Sequence, residues 1–215
     1  MKFDFSKDAM LSFSSYKAFW TFYQSLNIPN WHISTGLLND RGKYIENKSY
    51  TNKLRAVFNE KKLFRRNVAI AEVVSWLDSY LILRRLFNIL QAKLGDDVLS
   101  KMKIHCEYRI EMSKNRRIDF IFEYKSRVAL IEFRLSDKFP NVSNMWQKKE
   151  LELIIYKELL GNYLPSDLKI IMFAFIGMPE IEQGQMIEKN IKYNEENIDF
   201  FARYIMEYLI LKREQ

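Results

Sequence analysis

The spacing of apolar residues along this chain changes period several times, and the changes mark its elements. From Phe13 to Leu26, Phe13, Tyr16, Phe19, Trp20 and Tyr23 recur every three or four residues, the stripe of an amphipathic helix. Ser12, Ser14 and Ser15 offer caps for it, and Pro29 ends it. Ser34 to Ser49, with Gly36 and Asn39-Asp40-Arg41-Gly42, reads as a loop or short hairpin, and a second helix is predicted over 52–61. Asn67 to Leu94 is strongly helical, with Ile70, Val73, Val74, Leu77, Leu81, Leu86, Phe87 and Leu90 on one side, and it stops at Gly95-Asp96-Asp97.

The period then becomes two. Lys103 to Glu111 alternates Ile104, Cys106, Tyr108 and Ile110, and a turn over 112–115 leads to a second strand over 116–124. Lys125-Ser126 links that strand to a third over 127–135. After a polar loop with Asp137, Pro140, Asn141 and Ser143, a helix is predicted over 145–160, with Leu151, Ile154, Ile155 and Leu159 as its apolar positions. Leu168 to Ile176 is almost wholly apolar, as in a strand buried on both faces. Residues 177–194, with Pro179 and Gly184, read as a loop. A last helix over 197–212 carries Phe200, Phe201, Tyr204, Ile205, Tyr208 and Leu209. The order predicts an α/β fold, a mixed central sheet flanked by helices. Residues 1–66 form an N-terminal helical subdomain packed on a core of 67–215, which ends in a C-terminal helix.

Composition narrows the function classes. Cys106 is the one cysteine, so no intrachain disulfide or cysteine cluster forms. His32 and His105 are the two histidines, which argues against a histidine-rich zinc site. No apolar run approaches the ~20 residues of a membrane span, and the N-terminus lacks a signal-peptide core, so the expected location is cytoplasmic. The net charge of +7 is compatible with a polyanionic partner.

Two carboxylates break the strand pattern. Asp119 stands between Ile118 and Phe120, and Glu132 ends the apolar run 128–131, followed by Phe133 and Arg134. Burying an isolated carboxylate is costly unless it is paired or binds a cation. Two of them on neighbouring strands, with Arg134 on the same sheet face as Glu132, suit a divalent metal. Mg²⁺ takes one or two carboxylates plus water and phosphate oxygens, which is equipment for phosphodiester hydrolysis.

These residues resemble the PD-(D/E)xK nuclease superfamily, the restriction-endonuclease-like fold, over roughly 67–177. Ile118-Asp119 stands for its first motif, and Glu132-Phe133-Arg134 for the E-x-K motif with arginine in place of lysine. The segment Glu152-Leu153-Ile154-Ile155-Tyr156 is similar to its Q-L-x-x-Y helix signature, with glutamate in place of glutamine. The resemblance implies a helix–meander–helix–strand core and a nuclease dependent on Mg²⁺ or Mn²⁺, acting on nucleic acid, with DNA favoured over RNA. It implies metal ligation by Asp119, Glu132, the Phe133 carbonyl and Glu72. Arg134 would contact the phosphate, and Glu152 and Tyr156 would support it. Arginine stays protonated and cannot act as a base.

Rival readings stand beside these. Arg134 between two carboxylates satisfies all three without metal, which fits an inactive relative that binds nucleic acid or assembles with protein. Glu152 and Tyr156 also read as a helix-surface pair, Glu72 as a solvated flank, and His105 and Cys106 as packing residues. Lys148 and Lys149, with Lys138 and Lys157, either steer phosphates or are simply solvated. A third reading is a homodimer or protein partner held through the N-terminal or C-terminal helices.

Overall fold

The computed structural model describes residues 3–29, 31, 33, 38–62, 67–110, 116–135, 142–177, 182–186, 191–193 and 197–211. His32, Lys138, Pro179, the residues of the expected turn over 112–115 and residues 136–141 of the expected polar loop lie outside the described residues. Strands follow one another across the sheet in chain order: β1 (Ala9–Phe13), β2 (Lys103–Arg109), β3 (Arg117–Tyr124), β4 (Arg127–Leu135) and β5 (Lys169–Gly177). Two short strands, β6 (Glu182–Met186) and β7 (Ile191–Tyr193), extend it. Every adjacent pair is antiparallel except β4 and β5, which are parallel. A parallel pair needs a crossover, and α6 (Val142–Gly161) provides it.

The sheet is therefore α/β and mixed, as its pattern predicts, with two differences. The N-terminal segment is not only helical, because Ala9–Phe13 pairs along β2. Its burial shows no clean alternation (Ala9 and Met10 are both buried), so period two is not visible in it. Residues 182–186 and 191–193 supply strands where a loop is expected; their sequence, EQGQM in the first, lacks an apolar alternation to announce them.

Both faces of the sheet are covered. On one lie α1 (Tyr16–Ser25), α3 (Ser49–Lys61), α4 (Ile70–Leu94) and α7 (Asn197–Tyr204), whose buried side chains join Ile104, Cys106, Phe120, Phe122, Ile131 and Phe173 in one continuous core. The N-terminal helices belong to this core: Tyr16 stacks on Phe87 at 4.6 Å, and Ser15 caps α1 by accepting a bond from the Ala18 N–H. A short helix, α2 (Leu38–Lys43), replaces the expected loop and presents Arg41 to the fully buried Asp78 of α4 in a two-bond pair of 2.7 Å each, with the Trp31 indole N–H on the same carboxylate. Near its middle α4 is buried all round, from Trp76 to Tyr80, as a helix between a sheet and a second helical layer must be. A short helix, α5 (Asp96–Leu99), then leads to β2 after Gly95, whose φ of 77° lets the chain leave α4. At the C-terminus Phe201 of α7 stacks on Phe173 at 4.3 Å.

Helix α6 covers the opposite face with Trp146, Leu153, Tyr156 and Leu160. Of the expected stripe, Leu151, Ile154, Ile155 and Leu159, only Leu159 packs against this core: Leu151 is 59 % exposed and Ile154 37 %. Both sets have helical spacing; the set with the larger Trp146 and Tyr156 takes the sheet. No helix among the described residues is long and apolar enough to cross a membrane.

Candidate active site

Strands β3 and β4 pair regularly from Tyr124↔Arg127 to Phe120↔Ile131. One step further the side chains of Asp119 and Glu132 enter the ladder. The Asp119 N–H donates to Glu132 Oε1 at 3.1 Å, and the Phe133 N–H donates to Asp119 Oδ2 at 2.8 Å. Each acid thus accepts a backbone proton of the opposite strand, which locks both carboxylates at one point. They line a cleft of about 510 Å³ together with Arg116, Arg117, Lys148, Lys149, Leu151, Glu152, Ile155 and Tyr156.

A kink in the sheet lies at the same level. Cys106 pairs with Phe120 and Tyr108 with Ile118, yet the first pair belongs to the α4-side core and the second to the α6-side core. Strict alternation would put residues two apart on one face. The change occurs at Glu107 and Asp119, and Glu107 has a φ of 53°, outside the β region. Its buried carboxylate meets Arg117 Nε at 2.7 Å, and Arg117 Nη1 meets Glu72 Oε1 on α4, also at 2.7 Å.

Lys149 is the residue that sequence reasoning undervalued. Its ammonium is ion-paired with Glu132 Oε2, and it reaches Glu152 Oε2 at 2.9 Å. The lysine is largely buried, with 15 % of its side chain exposed. Its signal was present: Lys149 stands three residues before Glu152 on the helix that follows Glu132, so the two share a face. Arg134, by contrast, is exposed and is not among the cleft's lining residues. The ion pair expected from Arg134 is made by Lys149. Tyr156 is buried and Glu152 partly exposed, and both helix residues line the cleft that holds the strand carboxylates. Glu72 is already engaged: besides Arg117, it caps its own helix by accepting the Ala69 N–H at 3.0 Å.

The electrostatics share one sign. Burial pushes Glu132 well above the usual carboxylate range, with Asp119 adding to it and Lys149 opposing. Burial likewise raises Glu107 to about 8, with Arg117 opposing and Asp119 and Glu72 adding. For Lys149, burial acts against its charge but is outweighed by Glu132, Asp119 and Glu152, so it holds its proton more tightly than a free lysine. Burial and Glu132 raise Tyr156 as well. The cluster has more carboxylates (Glu72, Glu107, Asp119, Glu132, Glu152) than buried cations (Arg117, Lys149), and added positive charge would relieve it.

A divalent cation fits this donor set in one way. Among the described residues no group of three or more His, Cys, Asp or Glu side chains is gathered to hold an ion, so a closed protein cage is not available. A pair of carboxylates with the remaining positions left to water and phosphate suits Mg²⁺ or Mn²⁺. Asp119 Oδ1 accepts no hydrogen bond from the described residues, so an oxygen remains for the ion. Comparison with models of protein families, with curated proteins and with solved structures finds no match to this chain.

Proposed function

We propose that this protein is a divalent-metal-dependent nuclease with a restriction-endonuclease-like core of the PD-(D/E)xK kind. The observation that carries the reading is the locked carboxylate pair of Asp119 and Glu132, with the buried Lys149 ammonium beside it. Asp119 and Glu132 would hold Mg²⁺ or Mn²⁺, with the Phe133 carbonyl as the further ligand the family resemblance implies. Such an ion, when bound, polarises the phosphodiester and lowers the pKa of the attacking water.

The chain's own residues do the rest. Lys149 donates to, and neutralises, the oxygens that gain charge as the phosphodiester is attacked. Because its neighbours hold its proton on, it acts as a cation and donor and not as the base. Arg134 has no part in the chemistry; exposed beyond Glu132, it is left to contact the backbone of a bound strand. Glu152 holds Lys149 from the far side, and Tyr156 walls the site against the sheet. Exposed Arg116 and Lys148 at the rim draw in the polyanion, DNA in preference to RNA by the resemblance.

The experiment is cleavage of labelled oligonucleotides in Mn²⁺ and in EDTA. Wild type should cut only with metal, and Asp119→Asn, Glu132→Gln and Lys149→Met should each lose at least a hundredfold in rate, while Arg134→Ala stays within a few-fold. Full activity in Asp119→Asn would remove the mechanism. A second reading has its own observation: Lys149 satisfies Glu132 and Glu152 with no metal at all. A non-catalytic nucleic-acid-binding module built on that ion pair would bind oligonucleotides in a salt-dependent way and cut none.

A further inference from the structure

The apolar stripe that α6 keeps out of the core is placed where it can be used. Leu151 and Ile155 are one helical turn apart, and both line the cleft that contains Asp119, Glu132 and Lys149. A single exposed leucine needs no explanation. This one is 59 % exposed, forms a wall of the carboxylate cleft, and is flanked by exposed Arg116 and Lys148. The cleft thus combines cationic and aliphatic lining residues, Leu151 and Ile155 standing beside Lys148 on the same helix. At about 510 Å³ it is within the roughly 300–1,000 Å³ that encloses a drug-sized group, such as one nucleotide unit.

This combination sorts substrates. A phosphate drawn to Lys149, Arg116 and Lys148 brings its own nucleoside against Leu151 and Ile155. In an intact duplex the neighbouring base is stacked and paired inside the helix, so the wall would meet only sugar edges. An unpaired base can turn outward and bury apolar area against the aliphatic side chains, which a base stacked inside a duplex cannot do.

Building on the nuclease reading above, we propose that Leu151 and Ile155 form a base-contacting wall and that the substrate is nucleic acid whose bases are unpaired at the cut position. The test uses the full chain and two labelled probes, a 20-nucleotide oligothymidylate and a fully paired hairpin with a stem of the same length. Cleavage is followed in Mn²⁺, and binding by fluorescence anisotropy with Asp119→Asn. The unpaired probe should be cut and bound about tenfold better than the hairpin, and Leu151→Ser/Ile155→Ser should lose most of that preference while its thermal melt shows it still folded, since Leu151 is exposed and Ile155 only half-buried, outside the core. Equal or better handling of the hairpin, or a preference that survives the double variant, overturns the proposal. So does a change from dimer to monomer in light scattering for the double variant, which would assign the stripe to a second copy of the chain. Absence of metal-dependent cleavage on both probes sinks the nuclease reading instead, and the anisotropy comparison still decides whether the wall recognises unpaired bases.

Discussion

Replacing Glu107 with glutamine tests the electrostatic account of the site without touching the carboxylate pair. In the folded protein Glu107 is raised to about 8, against 4.5 for the ordinary group, by burial and by Asp119 and Glu72. Between those two values the folded chain holds a proton that the unfolded chain has released. Unfolding then releases protons, and stability falls as pH rises. The contribution is fully present below the unfolded value and is lost as pH climbs through the folded one. Its steepest slope is about 1.36 kcal/mol per pH unit, so over this window it approaches about 5 kcal/mol as an upper bound. Glu107→Gln mimics the protonated acid and removes the effect. Urea denaturation in EDTA at pH 5, 7 and 9 checks it, because the difference between variant and wild type cancels the other titrating groups. The two should be nearly equal at pH 5, and the variant more stable by several kcal/mol at pH 9. A difference that does not change with pH, or one that grows toward low pH, would refute the claim that this cluster is short of positive charge.

Other outcomes follow from the same geometry. Lys149→Met leaves Glu132 buried without its cation and should lower stability by about 3–5 kcal/mol, whereas Arg134→Ala, at an exposed position, should stay within about 0.5 kcal/mol; urea midpoints separate them. Binding of Mn²⁺ to the wild type should release protons from the cluster, read by calorimetry in two buffers of different ionisation enthalpy, and Glu132→Gln should reduce the release. Asp78→Ala removes the buried carboxylate that Arg41 and the Trp31 indole share in the N-terminal layer and should cost about 3–5 kcal/mol in thermal or urea unfolding while metal binding persists.

The parts of this molecule legible in its sequence are those where one local rule decides. The meander and the apolar strand β5 are readable because period two and a long apolar run have few alternative explanations, and Asp119 and Glu132 stand out against exactly those patterns. The boundaries of β4 coincide with the predicted 127–135. Helix α6 was legible as a helix but not in its orientation, since two stripes of equal spacing compete and the choice depends on how Trp146 and Tyr156 fill the sheet. Strand β1 is five residues long without alternation, and only its partner β2 makes it a strand.

The least legible feature is the one that shapes the site. Alternation assigns Glu107 to the face opposite Cys106 and Tyr108, so it reads as an ordinary polar position of a half-covered sheet. Instead its positive φ changes the phase of the strand, Cys106 and Tyr108 part to opposite cores, and the carboxylate turns to Arg117. A backbone residue held outside the β region costs of order 1–3 kcal/mol, and a buried ion pair is seldom more stable than an apolar substitute. Neither is a way to build a stronger sheet. Both lie across from Asp119, at the level where β3 and β4 exchange side-chain bonds for ladder bonds. The strain and the buried charge fix where the carboxylate pair stands, and packing alone gives no reason for either. Glu107 therefore belongs to the architecture of the cleft, although no spacing in the sequence marks it.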